Sequence, residues 1–240
     1  MKIVSTVPSQ TELLFDLGLE EHIVGITKFC VHPKGQVSNI QKIGGTKNLN
    51  INRILDLSPD LIIANKEENT KEQIELLQSH TRVFISDVKT VPDALDLVTE
   101  IGELCDVEAK ASLLKHKLEN IYDQIHSQKA KRVLYLIWRD PLMSIGNDTY
   151  IHHMLEHMGY RNVLADQSRY PEVEFQSIKE LSPDMIMLSS EPYPFKEVHL
   201  DQFRIKFPEI ESRIVDAEVF SWYGSRLIHL EQEAIALKSS

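Results

Sequence analysis

Two ten-residue segments of this chain resemble each other, and this repeat restricts the fold more than any other feature. The first copy spans residues 54–63 and the second spans residues 178–187, so that Ser182 follows Ser58 by 124 positions. Both copies contain Leu-Ser-Pro-Asp, then an apolar residue and Ile. In each copy a Ser-Pro turn ends a helix, and the short apolar run after it is typical of a buried parallel strand. The repeat predicts two similar lobes with a ligand cleft between them.

The repeat extends upstream, where each copy follows a strand, a loop and a helix. The first strand includes Lys2–Val4 and its helix covers Thr11–Gly18. The second strand is Arg132–Ile137 and its helix covers Thr149–Gly159. Threonine at a helix start and glycine after its end are typical caps. Similar strand–helix units could also arise without a repeat, but the shared Leu-Ser-Pro-Asp sequence favours a true duplication.

Composition excludes several classes of protein. With 240 residues, 42% of them hydrophobic, the chain can form one large or two modest domains. A net charge of −10 argues against binding to nucleic acid or to an anionic membrane surface, which both need basic patches. No apolar run approaches the ~20 residues that span a bilayer. Cys30 and Cys105, the two cysteines, are too few for a disulfide framework or a thiolate cluster.

The amino terminus runs directly into the first strand and lacks the charged and apolar regions of an export signal. Three explanations stay open: a leader that has been removed, a misassigned start, or a naturally leaderless protein. The position of Met1 favours the leaderless one. We therefore expect a cytoplasmic protein as the sequence stands, or a periplasmic or lipid-anchored one if a leader was removed.

The remaining elements complete two α/β lobes. Arg82–Ile85 and Arg213–Val215 are predicted strands, and Val91–Leu104 and Leu227–Lys238 are predicted helices. Strands that alternate with helices form parallel sheets, and ligands bind at the carboxyl ends of such strands.

Between the two lobes, the stretch from Asp106 to about Lys129 lacks Gly and Pro and has apolar residues at helical spacing, Leu113 among them. It predicts one long rigid helix and small hinge motion. The predicted fold class is therefore α/β, with two Rossmann-like lobes of mainly parallel sheets bridged by that helix. The predicted domains are residues 1–105, 106–130 and 131–240.

Several motifs together resemble a known family. They are Val7-Pro8-Ser9-Gln10-Thr11-Glu12-Leu13, Gly44-Gly45-Thr46, Asn50-Ile51-Asn52-Arg53-Ile54 and the Ser58-Pro59-Asp60 strand. With two lobes and a long helix, the chain resembles the ABC-transporter substrate-binding proteins with a helical backbone, most closely the cobalamin-binding branch. The resemblance implies capture of cobalamin, haem or a ferric siderophore in a shallow cleft, and delivery to a permease dimer. It implies a monomer and no required cofactor.

In the second lobe, the predicted ligand-binding residues are aromatic and basic. Trp138 and Arg139 follow one strand, and Trp222, Tyr223 and Arg226 follow Val219-Phe220, which we predict as another strand end. Aromatic faces and an arginine suit a large flat ligand with peripheral carboxylates or amides. The alternative is that one tryptophan is a core residue.

In the first lobe, the predicted ligand-binding residues lie in loops after strands. They are Ser9, Gln10, Phe29, His32, Gly45, Thr46 and Asn65. The cobalamin-binding branch has an aromatic residue where this chain has Asn65, which is a departure from its pattern.

Two groups of residues invite a metal interpretation. Cys30 and His32 are two residues apart and could ligate a metal or a haem iron, although two donors do not make a site. His153 and His157 share a helix face, with His152 beside them. Because the helix lies away from the strand ends, we interpret these histidines as a chance pair, and we predict no metal site.

The resemblance also implies one acidic docking residue on each lobe, facing arginines of the permease. Alignment of the repeat pairs Glu67 with Glu191. Glu72 and Glu68 are alternatives in the first lobe, and Glu197 is one in the second. A merely solvated acidic surface is the competing interpretation.

Enzymatic activity is the competing class of function. The sequence contains no dinucleotide-binding glycine motif, no phosphate-binding loop and no nucleophile elbow. We therefore expect a binding protein and not an enzyme, with a cobalamin-like corrinoid as ligand. The alternative is a siderophore-, haem- or metal-complex-binding protein, including a leaderless homologue with no role in transport.

Overall fold

The computed structural model describes residues 1–126 and 131–239. These residues form two compact units. Unit 1 comprises Met1–Val88, Pro92–Glu119 and Tyr223–His229, and unit 2 comprises Lys89–Val91, Asn120–Trp222 and Leu230–Ser240. Residues 223–229 therefore belong to unit 1, although they lie near the carboxyl terminus of the chain.

Residues 1–126 form a mixed order of strands and α-helices. They are β1 (Ile3–Ser5), α1 (Pro8–Asp16), β2 (Ile23–Ile26), β3 (Gln41–Lys42), β4 (Gly44–Gly45), β5 (Asn48–Leu49), α2 (Ile51–Asp56), β6 (Leu61–Asn65), α3 (Lys71–Gln78), β7 (Arg82–Ser86), α4 (Val91–Leu104) and α5 (Glu108–Ile125). Strands β3-β2-β1-β6-β7, in that order, form a parallel sheet, and β4 pairs with β5 as a short antiparallel hairpin.

The described residues after 130 also form a mixed order of strands and α-helices. Their elements are β8 (Lys131–Leu136), β9 (Trp138–Arg139), β10 (Leu142–Met143), α6 (Tyr150–His157), β11 (Tyr160–Asn162), β12 (Met185–Ser189), α7 (Glu197–Lys206), β13 (Glu211–Val215), α8 (Ala217–Ser221), α9 (Arg226–His229) and α10 (Glu231–Ser239). Strands β11-β8-β12-β13 form a second parallel sheet, and β9 pairs with β10. The predicted α/β class with mainly parallel sheets is confirmed.

The Ser-Pro-Asp turn of the repeated sequence has the same geometry in both units, although an α-helix precedes it in unit 1 and a 3₁₀ helix, Phe175–Lys179, in unit 2. Ser58 and Ser182 both adopt a φ of 49°, a left-handed conformation that is uncommon for residues other than glycine. Asp60 then accepts a hydrogen bond from the backbone N–H of Lys2, and Asp184 accepts one from Arg132, each at 2.7 Å. Each aspartate thus ties the start of a fully buried strand to its parallel neighbour.

Each sheet has an apolar core. In unit 1, Val4 and Ile62 pack with Ile54 of α2 and Leu77 of α3. In unit 2, Leu134 and Ile186 pack with Phe203 of α7 and with Phe207. Because both faces of a central parallel strand are covered, β6 and β12 are apolar at almost every position.

The start of the first helix differs from the prediction. Helix α1 begins at Pro8, not at Thr11, because proline at the first position already has a helical φ and has no N–H to satisfy. The Thr11 hydroxyl instead donates within the helix to the carbonyl of Val7, at 2.9 Å. The other predicted caps are confirmed: Thr149 caps α6, and Gly18 and Gly159 follow their helices with φ of 70° and 82°.

Two predictions near the carboxyl terminus are wrong. Val219-Phe220 lies in helix α8 and not in a strand, since the side chain of Asp216 caps that helix by accepting from the N–H of Glu218 at 3.0 Å. The predicted closing helix over 227–238 is interrupted at Leu230, which separates α9 from α10.

The predicted long helix is shorter than expected. Helix α5 begins at Glu108, after Asp106 with a φ of 55°, and ends at Ile125, while residues 127–129 of the prediction lie outside the described residues. Leu113, predicted on its apolar face, is 75% exposed. Its residues through Glu119 belong to unit 1 and the rest to unit 2. None of the helices described has the length and apolar character needed to cross a membrane.

Candidate functional site

The carboxyl ends of the unit 1 strands meet a set of buried polar side chains. They come from the ends of β1, β6 and β7, from the loops after β1, β2, β4 and β6, and from α1, which contributes four. The buried polar residues of this region are Ser5, Thr6, Ser9, Gln10, Thr11, Glu12, Thr27, His32, Thr46, Asn65, Asn69 and Ser86. Buried polar groups need partners, so the hydrogen bonds decide which of these residues can meet a ligand.

Asn65 organises the loop at the end of β6. Its Nδ2 donates to the carbonyl and the hydroxyl of Ser86, at 3.1 and 3.0 Å, and its Oδ1 accepts from the N–H groups of Glu67 and Glu68, at 2.8 and 3.1 Å. Both polar atoms of the amide are thus engaged within unit 1. The predicted ligand contact of Asn65 stays a prediction, and its bonds in the structure are those of a loop-stabilising residue.

Asn69, which the sequence analysis did not single out, joins three segments. Its Oδ1 accepts from the Thr6 hydroxyl at 2.8 Å and from the N–H of Asn65 at 2.9 Å. Its Nδ2 donates to the carbonyl of Thr46 at 3.0 Å. The side chain therefore connects the β1 and β6 loops with the turn between β4 and β5, which contains the predicted site residue Thr46. The only sequence signal is an Asn four residues after Asn65.

Gln10 and Tyr223 lie together near the start of α1. Gln10 is fully buried, and its Nε2 donates to the Ser86 hydroxyl, while its Oε1 has no partner among the described residues. Burial raises the pKa of the Tyr223 hydroxyl, and the neighbouring Gln10 and Ser9 oppose that shift. The structure thus groups three predicted site residues in one buried polar cluster of unit 1.

Arg226 forms a buried ion pair with Glu12. The Arg226 Nη1 lies 2.8 Å from Glu12 Oε1, and the two side chains are 12% and 2% exposed. His229 lies 3.1 Å from Asp16 on the same face of α1. Burial raises the pKa of Glu12, against the opposing effect of Arg226. Arg226 therefore fastens α9 to α1, and its predicted contact with a ligand stays a prediction.

The loop after β2 divides into exposed and buried residues. Phe29 is 51% exposed, with the Lys28 ammonium 5.0 Å from its ring centroid. A side chain at Gly45 would come within 3.2 Å of this ring, so glycine leaves room for it. The Cys30 sulfur instead contacts the Thr11 and Thr27 hydroxyls at 3.1 and 3.2 Å, and burial raises its pKa. Metals bind the thiolate form of cysteine, so the buried thiol of Cys30, with its raised pKa, is a poor metal ligand. His32 is also buried.

Unit 2 presents an aromatic surface at the end of β8. Trp138 is 39% exposed, and its indole N–H donates to the carbonyl of Asp140 at 3.2 Å. The Tyr193 ring meets it edge-on, with the centroids 5.7 Å apart. Arg139 donates to Gln202 of α7 at 3.2 Å. Trp138 is thus an exposed ring held in a defined orientation, whereas Tyr193 and Gln202 were missed by the sequence analysis.

Trp222 has the opposite character. It is buried, and its indole N–H donates to the Glu191 carboxylate at 2.7 Å. This arrangement matches the alternative in which one of the two tryptophans is a core residue. It also engages Glu191, one of the predicted docking residues. Of the other two, Glu67 receives a hydrogen bond on its carbonyl from Lys47, and Glu72 lies exposed in the first turn of α3.

Among the histidines of α6, His152 and His153 lie close together. The group that comes together is His152, His153 and Glu156, whose ligand atoms lie within 4.8 Å of one another. Asn162 Oδ1 accepts from Leu164, so its Nδ2 faces His152 Nδ1 at 3.3 Å. The His152 proton is then on Nε2, which lies 3.4 Å from Glu156. His157 lies elsewhere, with Nε2 2.9 Å from the carbonyl of Tyr122.

Comparison with known proteins agrees with this architecture. A family model described as periplasmic binding protein matches residues 3–206. The chain belongs to this family. Membership confirms the family that the sequence motifs predicted.

Two curated relatives of this periplasmic binding protein match it over most of its length. An uncharacterised ABC transporter substrate-binding lipoprotein of Bacillus subtilis is 29% identical over 198 residues, which is 78% of this chain and 62% of the relative. A vitamin B12-binding protein of Vibrio cholerae is 25% identical over 194 residues, 78% of this chain and 70% of the relative. The chain therefore spans less than two thirds of the Bacillus protein.

One solved structure with the same fold is of a protein named for a different class of ligand. The periplasmic haem-binding protein RhuT of Roseiflexus, in its apo form, superposes with a TM-score of 0.83 at 19% identity, covering 99% of this chain and 96% of that protein. The fold is thus shared by proteins named for vitamin B12 and for haem, so side chains must decide the ligand.

Proposed function

We propose that this protein is the substrate-binding component of an ABC-type uptake system, with a cobalamin-like corrinoid as its ligand. The observation that carries the proposal is Trp138, an exposed ring at the carboxyl end of β8 with a neighbouring ring behind it. Exposed, oriented aromatic rings supply large contact area to a flat ligand at little cost in conformational entropy. Family membership and the vitamin B12-binding relative support the same reading.

The buried donors of the loop after β2 favour a ligand that carries its own metal coordination. Haem bound through its iron needs a protein side chain such as a histidine or thiolate as axial ligand. Cys30 and His32, the two donors of that loop, are both buried in the structure, and the Cys30 sulfur is engaged by two hydroxyls. A corrinoid or a ferric siderophore needs no such donor. A siderophore or haem nevertheless remains the second candidate, because a related fold carries haem in its name.

Delivery requires a partner, and we propose an ABC permease dimer that contacts acidic residues of this protein. Glu72 is exposed at the start of α3, and Glu67 lies in the preceding loop. In unit 2, Glu191 is held by Trp222. Uptake also places the protein outside the inner membrane, in the periplasm or on a lipid anchor. The alternative is a cytoplasmic homologue that holds the same ligand without a permease.

The proposal is tested by calorimetric titration with cyanocobalamin, haem and a ferric siderophore. We expect saturable binding of cyanocobalamin. Trp138→Ala should weaken it by about tenfold or more, the effect of removing an interface hot spot, and Trp138→Phe should restore part of the affinity. Leu113→Ala, an exposed side chain of α5, is the control and should leave affinity unchanged.

Other outcomes decide between the candidates. Binding of haem with a characteristic shift of its Soret band, and no binding of cyanocobalamin, would replace the corrinoid with haem. No binding of any of the three ligands would overturn the assignment to this ligand class. Association with the membrane of cells that express the cognate permease, lost in Glu72→Lys, would support the docking proposal.

A further inference from the structure

Four rings form a connected cluster in unit 2, and one of them is a histidine. Behind Trp138 lies Tyr193, and Tyr193 is 4.9 Å from Phe195 and 5.5 Å from His199 between ring centroids. Phe195 and His199 are 5.8 Å apart. Phe195 is buried in the apolar core, so the cluster connects the core with the exposed face of Trp138.

The hydrogen bonds of His199 fix its tautomer. The backbone N–H of Lys196, the residue before α7, donates to His199 Nδ1 at 2.9 Å. This bond is one half of a capping box, in which the side chain of the third helical residue accepts from the N–H of the capping residue. A neutral imidazole carries one proton, which must then be on Nε2. That atom lies 3.3 Å from the Tyr193 hydroxyl oxygen. Neutral His199 therefore holds the start of α7 with one nitrogen and Tyr193 with the other.

A second proton would have to bind the nitrogen that already accepts from Lys196. On Nδ1 it would point at the N–H of Lys196, so the ring would have to turn away and release Tyr193. The charges that act on it are those of Arg139 of β9 and Lys196. The carboxylates of Glu197 and Asp201 on α7 pair instead with Arg204, at 3.7 and 3.6 Å. Desolvation, followed by the charges of Arg139 and Lys196, lowers the pKa of His199.

We infer that His199 is the positioning residue of the Trp138 surface: in its neutral form it holds Tyr193 edge-on against Trp138, and its protonation releases that ring and weakens binding of a flat ligand. The half of this inference that concerns the ligand rests on the proposed function, whereas its structural half concerns only the arrangement of the rings. The two halves can therefore be tested separately.

The structural half is tested without ligand by ¹⁹F NMR on protein labelled with 5-fluorotryptophan. The chain has two tryptophans, so two resonances are expected, and Trp138→Phe assigns them. On acidification below about pH 6.5 the Trp138 resonance should shift in a single step. The buried Trp222 resonance is the internal reference and should not follow that step. A Trp138 resonance that does not titrate would overturn the inference.

Two substitutions separate positioning of Tyr193 from simple capping of α7. The amide of His199→Gln reaches about as far as Nε2, so it can still donate to Tyr193 but loses the contact with Lys196. The Oδ1 of His199→Asn replaces Nδ1, so it keeps the cap but loses Tyr193. Both variants should abolish the pH step. At about pH 7.5 we expect His199→Gln to bind cyanocobalamin nearly as the parent does, and His199→Asn to bind about three- to tenfold more weakly.

The opposite order of affinities, with His199→Asn intact and His199→Gln impaired, would assign His199 a capping role only and overturn the inference. A pH step that persists in His199→Gln would assign the titration to another group and would do the same. If the ¹⁹F step is present and lost in both variants but no ligand binds, the ring arrangement stands and the proposed function fails. The two failures are thus distinguishable.

Discussion

The two units share a scaffold but differ in what they place at the ends of their strands. Internal alignment matches Asn65, at the end of β6, with Ser189, at the end of β12. Asn65 makes four hydrogen bonds that close a polar network, whereas the Ser189 hydroxyl contacts Tyr135 at 3.2 Å and the carbonyl of Glu191 at 2.5 Å. The side chains near the strand ends are buried amides and an ion pair in unit 1, and aromatic rings in unit 2.

This difference shows which part of a duplicated fold is free to change. The Ser-Pro-Asp turn is fixed in both units because its aspartate satisfies a backbone N–H of the neighbouring strand. The loops that follow the strands carry no such requirement, so their side chains can diverge without loss of the sheet. We therefore expect unit 2 to present the exposed surface suited to a flat ligand, and unit 1 to present a rigid polar surface.

The largest expected effect is on the ion pair of unit 1. Glu12→Ala leaves the Arg226 guanidinium almost buried without its carboxylate, and we expect a loss of about 3–5 kcal/mol in the free energy of unfolding, measured by urea denaturation. Asp16→Ala, which removes the more exposed partner of His229 on the same helix, is the control and should cost under about 1 kcal/mol. Equal losses in the two variants would contradict the assignment.

The contrast at the ends of β6 and β12 is tested by a matched pair. Asn65→Leu should cost about 1–3 kcal/mol, because the N–H groups of Glu67 and Glu68 lose their acceptor and Ser86 loses a donor. Ser189→Ala should cost less, about 1 kcal/mol. Urea denaturation measures both, and a larger loss for Ser189→Ala would reverse the comparison.

The likeness of the two units is tested at the repeated aspartates. Asp60→Ala and Asp184→Ala each remove one charge-assisted hydrogen bond of 2.7 Å to a backbone N–H. We expect similar losses of about 1–2 kcal/mol in both variants. Losses that differ by more than the error of the denaturation experiment would show that the two turns are alike in geometry but not in energy.

The smallest effect is the pH dependence from His157 in unit 2. Burial lowers the pKa of His157, so the unfolded chain, in which the pKa of histidine has its ordinary value of 6.5, binds a proton before the folded protein does. Stability is then fully present above about pH 6.5 and decreases as the pH falls toward the lower folded pKa, by at most about 1.4 kcal/mol per pH unit.

His157→Gln should flatten this part of the curve of unfolding free energy against pH. His116→Gln, on the exposed surface of α5, controls for the loss of a histidine. An unchanged slope in His157→Gln would assign the pH dependence to other groups.

Local patterns in the sequence predicted much of the fold because they are set by short-range constraints. Helix α4 begins and ends at the predicted residues, and the caps at Thr149, Gly18 and Gly159 were correct. Helix α1 was placed late because the proline signal at Pro8 was read as part of a loop. Val219-Phe220 was read as a strand because a short apolar run does not distinguish a buried strand from a buried helix.

The predicted site residues show what local sequence patterns cannot predict. The sequence predicts both Trp138 and Trp222 at strand ends, and only packing separates the exposed ring from the buried one. It gave no sign of Tyr193 or His199, and it marked Asn69 only by its spacing from Asn65, since each acts through partners that are distant in sequence or bonded to backbone atoms. Aromatic and amide side chains have no local period that marks such contacts.

The sequence by itself determined the duplication, the parallel α/β class and the family, because the Leu-Ser-Pro-Asp turn and the apolar strands after it are set by backbone geometry and burial. The tertiary structure alone decided that residues 223–229 belong to unit 1, that Arg226 pairs with Glu12, and that Cys30 is engaged by Thr11. These contacts join residues up to 214 positions apart, and whether a polar side chain meets solvent or a partner depends on that packing.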